Sequence, residues 1–267
     1  MIGRGMAILA VCLAFSLPAG AQDLTGRQIM DEVSARHDRP YEFEIQQMTL
    51  RDKGGNEEER EVKRYARELE QGENRYLMVF HNPAGVRGVA LLTWQHDTKD
   101  DYQWIYLPAQ GKKAKRIAKG GRQNYFMGTD YTFEDLISES RDKFRYERLD
   151  DEELDGVAVF VVDAFPEDAG VKKETGYKCR RSWIRQDIFF IVRTEYFDKR
   201  GRYIKNQIAT DLVNIEGDMW RAQRTFMDNE KRGHSTEIEI IDRTFEDSDV
   251  PKKMFHTRYI TSGKHLR

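Results

Sequence analysis

Apolar and polar residues alternate with a period of two along most of the chain, which is the pattern of half-buried β-strands. Turn signals such as Gly54-Gly55, Asp155-Gly156 and Glu216-Gly217 separate the alternating stretches. The pattern predicts strands at 43–50, 58–69, 76–80, 89–96, 101–107, 144–149, 157–165, 177–185, 189–197, 202–215, 219–228 and 236–245. Such regular spacing indicates an antiparallel meander that curls into a barrel or half-barrel.

Two features near the start interrupt this alternation. Thr25 can cap a helix that ends before Pro40 and whose apolar stripe comprises Ile29, Met30 and Val33. In the first strand the apolar positions change phase at Gln46-Gln47, which predicts a β-bulge there.

Two of the predicted strands, 157–162 and 188–192, are apolar on both faces. An apolar face must be buried against another element, so something has to cover the outer side of these strands. We expect the N-terminal helix and a short helix near Phe133 to cover them.

The stretch 104–136 contains the longest break in the strand pattern. A basic segment follows Pro108, and an aromatic cluster at 125–127 follows Gly120-Gly121. After Gly128, either Asp130 or Thr132 can cap a short helix, and loss of an Asp130 cap would cost about 1 kcal/mol. A basic loop between two aromatic clusters favours a gate over an apolar site, and the alternative is a solvated loop.

The first 21 residues have the pattern of a secretory signal peptide. Arg4 supplies the positive charge, 6–17 form the apolar core, and Ala19-Gly20-Ala21 is a small-residue cleavage site. The mature protein would then begin at Gln22, and Cys179 would be its single cysteine, so no internal disulfide is expected.

Composition and motifs exclude several classes of function. Charged residues make up 34% of the chain, but the net charge is only −2, which argues against nucleic acid as a partner. No histidines stand at metal-ligand spacing, and neither a nucleophile elbow nor a phosphate loop is present. The sequence therefore predicts no metal, no cofactor and no enzymatic activity, although an envelope hydrolase that uses Asp130 or Asp135 is one alternative.

Five segments carry a resemblance to a known family: QQMTLRDKGG, FHNPAGVRGVALL, DDYQWIYLPAQGKKAKRI, FMGTDYTFEDL and VPKKMF. With them the chain resembles the LolA-like family of outer membrane lipoprotein-sorting proteins, of the type associated with RND (MMPL-like) exporters. In the fourth segment Gly128, Asp130 and Asp135 belong to the motif. The resemblance implies a mainly β fold with a few helices, in which a curved, incomplete antiparallel β-barrel carries a helical lid over an apolar cavity. It implies one such domain over 22–267, in the periplasm of a Gram-negative envelope.

These observations lead us to expect a carrier that binds the acyl chains of a lipid or lipoprotein and works with an inner-membrane RND/MMPL-type transporter. The residues expected to line the apolar cavity are Met48, Leu50, Met78, Phe80, Leu92, Trp94, Trp104, Tyr106, Phe126 and Met127. The residues expected to contact headgroups or the partner, with transient membrane contact, are Arg87, Lys112, Lys113, Lys115 and Arg116. The alternative is an accessory or scaffold subunit of an envelope exporter that carries no cargo.

Overall fold

The computed structural model describes residues 24–70 and 72–266, so the predicted signal peptide lies outside the described residues. These residues form one antiparallel sheet of 14 strands. The strands of the first half are β1 (Tyr41–Arg51), β2 (Glu57–Glu70), β3 (Glu73–Asn82), β4 (Ala90–His96), β5 (Tyr102–Tyr106), β6 (Lys115–Arg116) and β7 (Phe144–Arg148). Those of the second half are β8 (Glu152–Leu154), β9 (Val157–Pro166), β10 (Tyr177–Arg185), β11 (Phe190–Asp198), β12 (Tyr203–Glu216), β13 (Met219–Asn229) and β14 (His234–Thr244). Every strand predicted from the sequence is present, and β6 and β8 are additional.

The strand order is β6-β5-β4-β3-β2-β1-β14-β13-β12-β11-β10-β9-β7, with β8 paired to β9. Nearly every strand therefore pairs with its neighbour in the sequence, and the pairing of β1 with β14 joins the two halves of the sheet. The end strands β6 and β7 do not pair with each other, so the sheet is not closed into a barrel. This confirms the predicted incomplete antiparallel barrel.

The predicted β-bulge is found at Ile45-Gln46, where β1 pairs with β14, but its extra residue is not in β1. Strand β1 keeps strict alternation, and the extra residue is Ile241 of its partner β14, because Ile45 pairs with Asp242 and Gln46 with Ile240. The apolar residues of β1 change phase because Phe43 faces one side of the sheet and Met48 the other. Both faces of β1 are covered, so apolar positions occur in both phases.

In the described part of the chain, three α-helices accompany the sheet: α1 (Gly26–His37), α2 (Ala169–Thr175) and α3 (Thr257–Thr261). The predicted cap of α1 is confirmed. The Gln28 amide donates to the Thr25 hydroxyl at 3.3 Å, and the Thr25 amide donates to the Gln28 side chain at 2.9 Å, which is a capping box. None of the helices among the described residues combines the length and hydropathy that a membrane span requires.

One face of the sheet, which we call the inner face, is covered by α1 and by residues 122–137, which we call the inner loop. Ile29 of α1 is fully buried against Phe160, Val162 and Ile184. The inner loop buries Phe126, Tyr131 and Phe133 against strands from both halves of the sheet. Because both β3 and β12 contribute residues to the cluster around the inner loop, the sheet must curl around this loop.

The opposite, outer face of β1 to β5 is covered by residues 250–266, which we call the C-terminal segment. Val250, Met254, Phe255 and Ile260 are buried there against strand residues such as Leu77 and Leu92. On β9 and β10, the outer side packs Val159, Val161 and Trp183 against Leu149 and Leu154. The expectation that helices cover the outer side of the doubly apolar strands is therefore wrong, since α1 lies on the inner side and β8 with its flanking residues covers the outer one.

Candidate functional site

The inner loop begins with a small hairpin. Tyr125 bridges to Thr132, and the turn between them places Met127 at a φ of 48° and Gly128 at 83°. A left-handed conformation is accessible to glycine without strain, which explains Gly128 in this motif. Arg60 of β2 donates to the Met127 carbonyl at 2.6 Å and so holds the turn against the sheet.

Asp135 anchors the loop to the second half of the sheet. Its carboxylate accepts from the Lys205 ammonium of β12, from the Tyr177 hydroxyl at 2.9 Å and from the Thr132 amide at 2.7 Å. The Lys205 side chain is 0% exposed and that of Asp135 1%. Burial opposes ionisation, but the charges of Lys205 and Arg180 and the hydrogen bonds from Lys205 and Thr132 together outweigh it and hold the pKa of Asp135 below its usual value.

Asp130 is a second anchor, and it does not cap a helix. Its fully buried carboxylate accepts from Arg232 at 3.0 Å, from the Thr236 hydroxyl at 2.9 Å and from His234. The expected loss of about 1 kcal/mol for a missing cap therefore has no structural basis. The N-cap position of the short helical turn Glu134–Leu136 is Phe133, so no side chain caps the turn, although the Thr132 hydroxyl accepts from the Asp135 amide at 3.2 Å.

Glu134 lies between two arginines without a hydrogen bond to either of them. Its carboxylate oxygens are 3.7 Å from Arg180 and 4.0 Å from Arg122, and Oε2 is buried with no hydrogen-bond partner in the described part of the chain. Burial raises the pKa of Glu134 to about 7, although both arginines oppose this shift. The inner loop therefore contains one carboxyl group that titrates near neutral pH.

Between the inner loop and α1 the inner face is open, and a cleft enters the hollow of the sheet. The part that borders the inner loop, which we call the loop part, has a volume of about 360 Å³. Apolar side chains from both halves of the sheet and from the inner loop line it: Met78, Leu91, Tyr131, Leu136, Ile137, Phe190, Ile238 and Ile240. Polar side chains line it as well: Gln46, Thr93, Asp135, Ser138, Gln207 and Thr225.

A belt of charged side chains crosses the cleft. It consists of Glu42 and Glu44 of β1 and of Arg64, Arg221 and Arg243. Arg243 lies 2.8 Å from Glu44, Arg64 lies 3.2 Å from Glu44, and Arg221 lies 2.8 Å from Glu42. Although Glu44 is buried, Arg64 and Arg243 hold its pKa below the usual value. Because the belt has three guanidinium groups for two carboxylates, it carries a net positive charge.

A second part of the cleft, which we call the helix part, has a volume of about 560 Å³ and is lined by α1, β2, β3 and the residues after the inner loop. Glu42, Arg64, Tyr76, Ser138 and Arg221 line both the helix part and the loop part, so the two volumes are continuous. The cleft thus combines apolar side chains with the charged belt.

The structure divides the ten predicted cavity residues between the two faces of the sheet. Met48, Leu50, Met78, Phe80, Phe126 and Met127 lie on the inner face with the inner loop, and Met78 lines the cleft. Leu92, Trp94, Trp104 and Tyr106 lie on the outer face, where the C-terminal segment covers them. The prediction that all ten line one cavity is therefore wrong, because β4 and β5 alternate and their larger aromatic side chains face outward.

The basic segment is not a gate over the cleft. Lys115 and Arg116 form β6 at the edge of the sheet, and Arg116 lies over the Tyr102 ring at 4.2 Å. Lys112 and Lys113 precede β6, and Arg87 is in the β3–β4 connection, all of them exposed. It is the inner loop, further along the chain, that enters the hollow of the sheet.

The charged belt was missed by the sequence analysis. Glu42 and Glu44 alternate with Tyr41, Phe43 and Ile45, and that pattern is normally interpreted as an apolar inner face and a solvated outer one. The apolar residues of the C-terminal segment could have indicated which face of β1 is the outer one, because such a segment must pack on an apolar strand face. That face is the one bearing Phe43, which leaves the glutamates on the inner side.

An open, curled antiparallel sheet with a cleft on its inner face defines a LolA-like fold, and comparisons with known proteins confirm it. Residues 72–262 match the model of a protein family described as "Uncharacterized protein", and the chain belongs to that family. A search of curated proteins finds no match.

Three solved structures are similar over most of the chain. A domain from Vibrio parahaemolyticus described as an outer membrane lipoprotein-sorting protein has a TM-score of 0.82 and 28% identity, covering 88% of this chain and 98% of its own. A DUF1329 family protein from Desulfovibrio piger has a TM-score of 0.81 and 23% identity, with 88% and 97% covered. A LolA superfamily protein from Nitrosomonas europaea has a TM-score of 0.69 and 18% identity, with 88% and 99% covered.

Proposed function

We propose that the protein is a periplasmic carrier that binds the acyl chains of a lipid or lipoprotein in the cleft and moves this cargo between envelope membranes. The observation that carries the proposal is a cleft in which apolar side chains from both halves of the sheet lie next to a belt of charged groups. An amphiphile likewise joins an apolar chain to a polar headgroup. Volumes of about 360 and 560 Å³ also fall in the usual range for small-molecule sites, roughly 300–1,000 Å³.

In this proposal the acyl chain lies against Met78, Leu91 and Ile238, and the headgroup contacts the belt at Arg64 and Arg243. Burial of a chain stabilises the complex by about 0.8 kcal/mol per methylene. A membrane gives the chain a similar environment, so extraction needs a partner that lowers the barrier. An inner-membrane RND/MMPL-type transporter is the partner that we propose, and the role is binding and transport without catalysis.

The similarity to the Vibrio domain supports this function and a periplasmic location, because that protein is described as an outer membrane lipoprotein-sorting protein and is 28% identical. The predicted signal peptide agrees with the same location.

One observation favours the alternative, an accessory subunit without cargo. Phe126, Tyr131 and Phe133 of the inner loop fill part of the hollow of the sheet. A protein with a filled interior needs no ligand. Native mass spectrometry of the mature protein, purified without detergent, separates the two functions: a bound lipid or acylated peptide supports the carrier, and an apo mass that persists after incubation with palmitate supports the accessory subunit.

Replacing Ile240 by tryptophan should weaken palmitate binding by about tenfold or more, which corresponds to roughly 1.4 kcal/mol or more. Ile240 lines the loop part of the cleft, and the larger ring would occupy volume that the acyl chain needs. Equilibrium dialysis with radiolabelled palmitate measures the effect.

The neighbouring residue provides the matched control. Ile241 is 61% exposed at the bulge of β14 and does not line the cleft, so Ile241→Trp should bind palmitate like the wild-type protein. Equal binding by both variants would place the palmitate outside the cleft.

A further inference from the structure

Two segments that lie far apart in the sequence contain lysine and arginine but no acidic residue. One runs from 102 to 129 and the other from 250 to 267. The first contains β5 and β6, and the second contains the C-terminal segment. The chain has 46 acidic and 44 basic residues, so stretches of this length with charges of only one sign stand out from the rest of the sequence.

The fold brings the two segments together with the β3–β4 connection. Ala114, within the basic segment, packs in the same cluster as Phe255 and Ile260 of the C-terminal segment. His265 hydrogen-bonds to the Gly88 carbonyl at 3.0 Å, and its ring lies 5.6 Å from the Tyr106 ring.

The exposed cations of these three pieces, apart from Lys119, which pairs with Asp100 and Glu174, make up the surface that we call the basic face. It consists of Arg87, Lys112, Lys113, Lys115, Arg116, Lys252, Lys253, Arg258 and Lys264. Within residues 24–70 and 72–266, none of the nine forms an ion pair. Arg67 and Arg75, outside these pieces, are paired with carboxylates. Exposed lysines without an ion pair also occur elsewhere in the described structure, at positions 53, 172, 173 and 231, but they lie outside the two acid-free segments.

We propose that the basic face docks the protein on an anionic lipid surface. Unpaired lysines and arginines are attracted to the negative headgroups of such a surface. Salt screens this attraction and shortens its range. Six of the nine residues are lysines, which are depleted at the core of protein interfaces. The large exposed apolar side chains of the described structure, Ile208, Ile215 and Ile241, lie on β12 and β14, so the basic face lacks the apolar core of a protein interface.

Docking by this face leaves the cleft free, because the C-terminal segment covers the outer face of the sheet and the cleft opens on the inner one. A carrier could therefore rest on a membrane without closing its binding site. Docking by the basic face does not depend on which cargo the cleft holds.

The test is co-sedimentation of the mature protein with vesicles of phosphatidylcholine alone and of phosphatidylcholine mixed with phosphatidylglycerol. The wild-type protein should sediment with the mixed vesicles only, and high salt should release it. The variant Lys112→Glu/Lys113→Glu/Lys252→Glu/Lys253→Glu should lose about tenfold or more of its partitioning.

The matched control is Lys53→Glu/Lys172→Glu/Lys173→Glu/Lys231→Glu. It reverses four exposed lysines outside the basic face, so its net charge changes equally. It should retain most of the binding, and Ile240→Trp should bind vesicles like the wild-type protein even though its palmitate binding is weakened.

Two outcomes would overturn the inference. Equal losses in both fourfold variants would mean that net charge, not this face, governs binding. No sedimentation of the wild-type protein with the anionic vesicles would exclude lipid as the occupant and leave an acidic protein surface as the partner.

Discussion

Replacing Lys205 by methionine should lower the free energy of unfolding by about 3–5 kcal/mol, the range for a buried ion pair that loses one partner. Lys205 donates to the Asp135 carboxylate and, at 2.8 Å, to the Asp130 carbonyl, and its side chain is 0% exposed. Methionine keeps most of the side-chain volume, so the loss is mainly electrostatic. Urea denaturation followed by tryptophan fluorescence measures it.

Two controls isolate the buried charge. Lys119 pairs with Asp100 but is 47% exposed, so Lys119→Met should cost less than about 1 kcal/mol. In Lys205→Met/Asp135→Asn no unpaired carboxylate is left in the core, and the double variant should be more stable than Lys205→Met alone. If Lys205→Met cost no more than Lys119→Met, the pair would not be what fixes the inner loop to β12.

The strands and α1 could be predicted because their signals are local. A two-residue period and a turn signal lie within one stretch of sequence, and so does the capping box of Thr25 and Gln28. Strand pairing could be predicted as well, because most strands that are adjacent in this sheet are also consecutive in the sequence.

The faces of the strands could not be predicted, because alternation defines two faces without showing which is the inner one. On β5, the face bearing Trp104 and the face bearing Ile105 could each have been the inner one. The C-terminal segment decides this, because it packs against Trp104 on the outer face. That segment is about 150 residues further along the chain, so no local pattern on β5 contains the information.

The charged groups of the site were missed for a related reason. Lys205 and Asp135 are separated by 70 positions, and Arg243 and Glu44 by 199. Each is an ordinary polar residue in its own strand or turn. Only the curl of the sheet, which brings both halves around the inner loop, makes them partners.

The second large effect that we expect is a fall in stability with rising pH, which is caused by Glu134. Its pKa is raised from 4.5 to about 7 in the folded protein, mainly by burial. Below pH 4.5 the carboxyl group is protonated in both states. As the pH rises from 4.5 towards 7, the unfolded chain ionises while the folded protein keeps the proton, so stability falls by at most about 3 kcal/mol across this window.

Glutamine cannot ionise, so Glu134→Gln should remove this loss. The variant should be more stable than the wild-type protein by about 1–3 kcal/mol at about pH 8, and the difference should shrink towards about pH 5. Urea denaturation at a series of pH values measures both. Glu153→Gln, at an exposed carboxylate without an ion pair in the described structure, should leave the pH dependence unchanged. Parallel profiles for the wild-type protein and Glu134→Gln would mean instead that Arg122 and Arg180 keep Glu134 ionised in the folded protein.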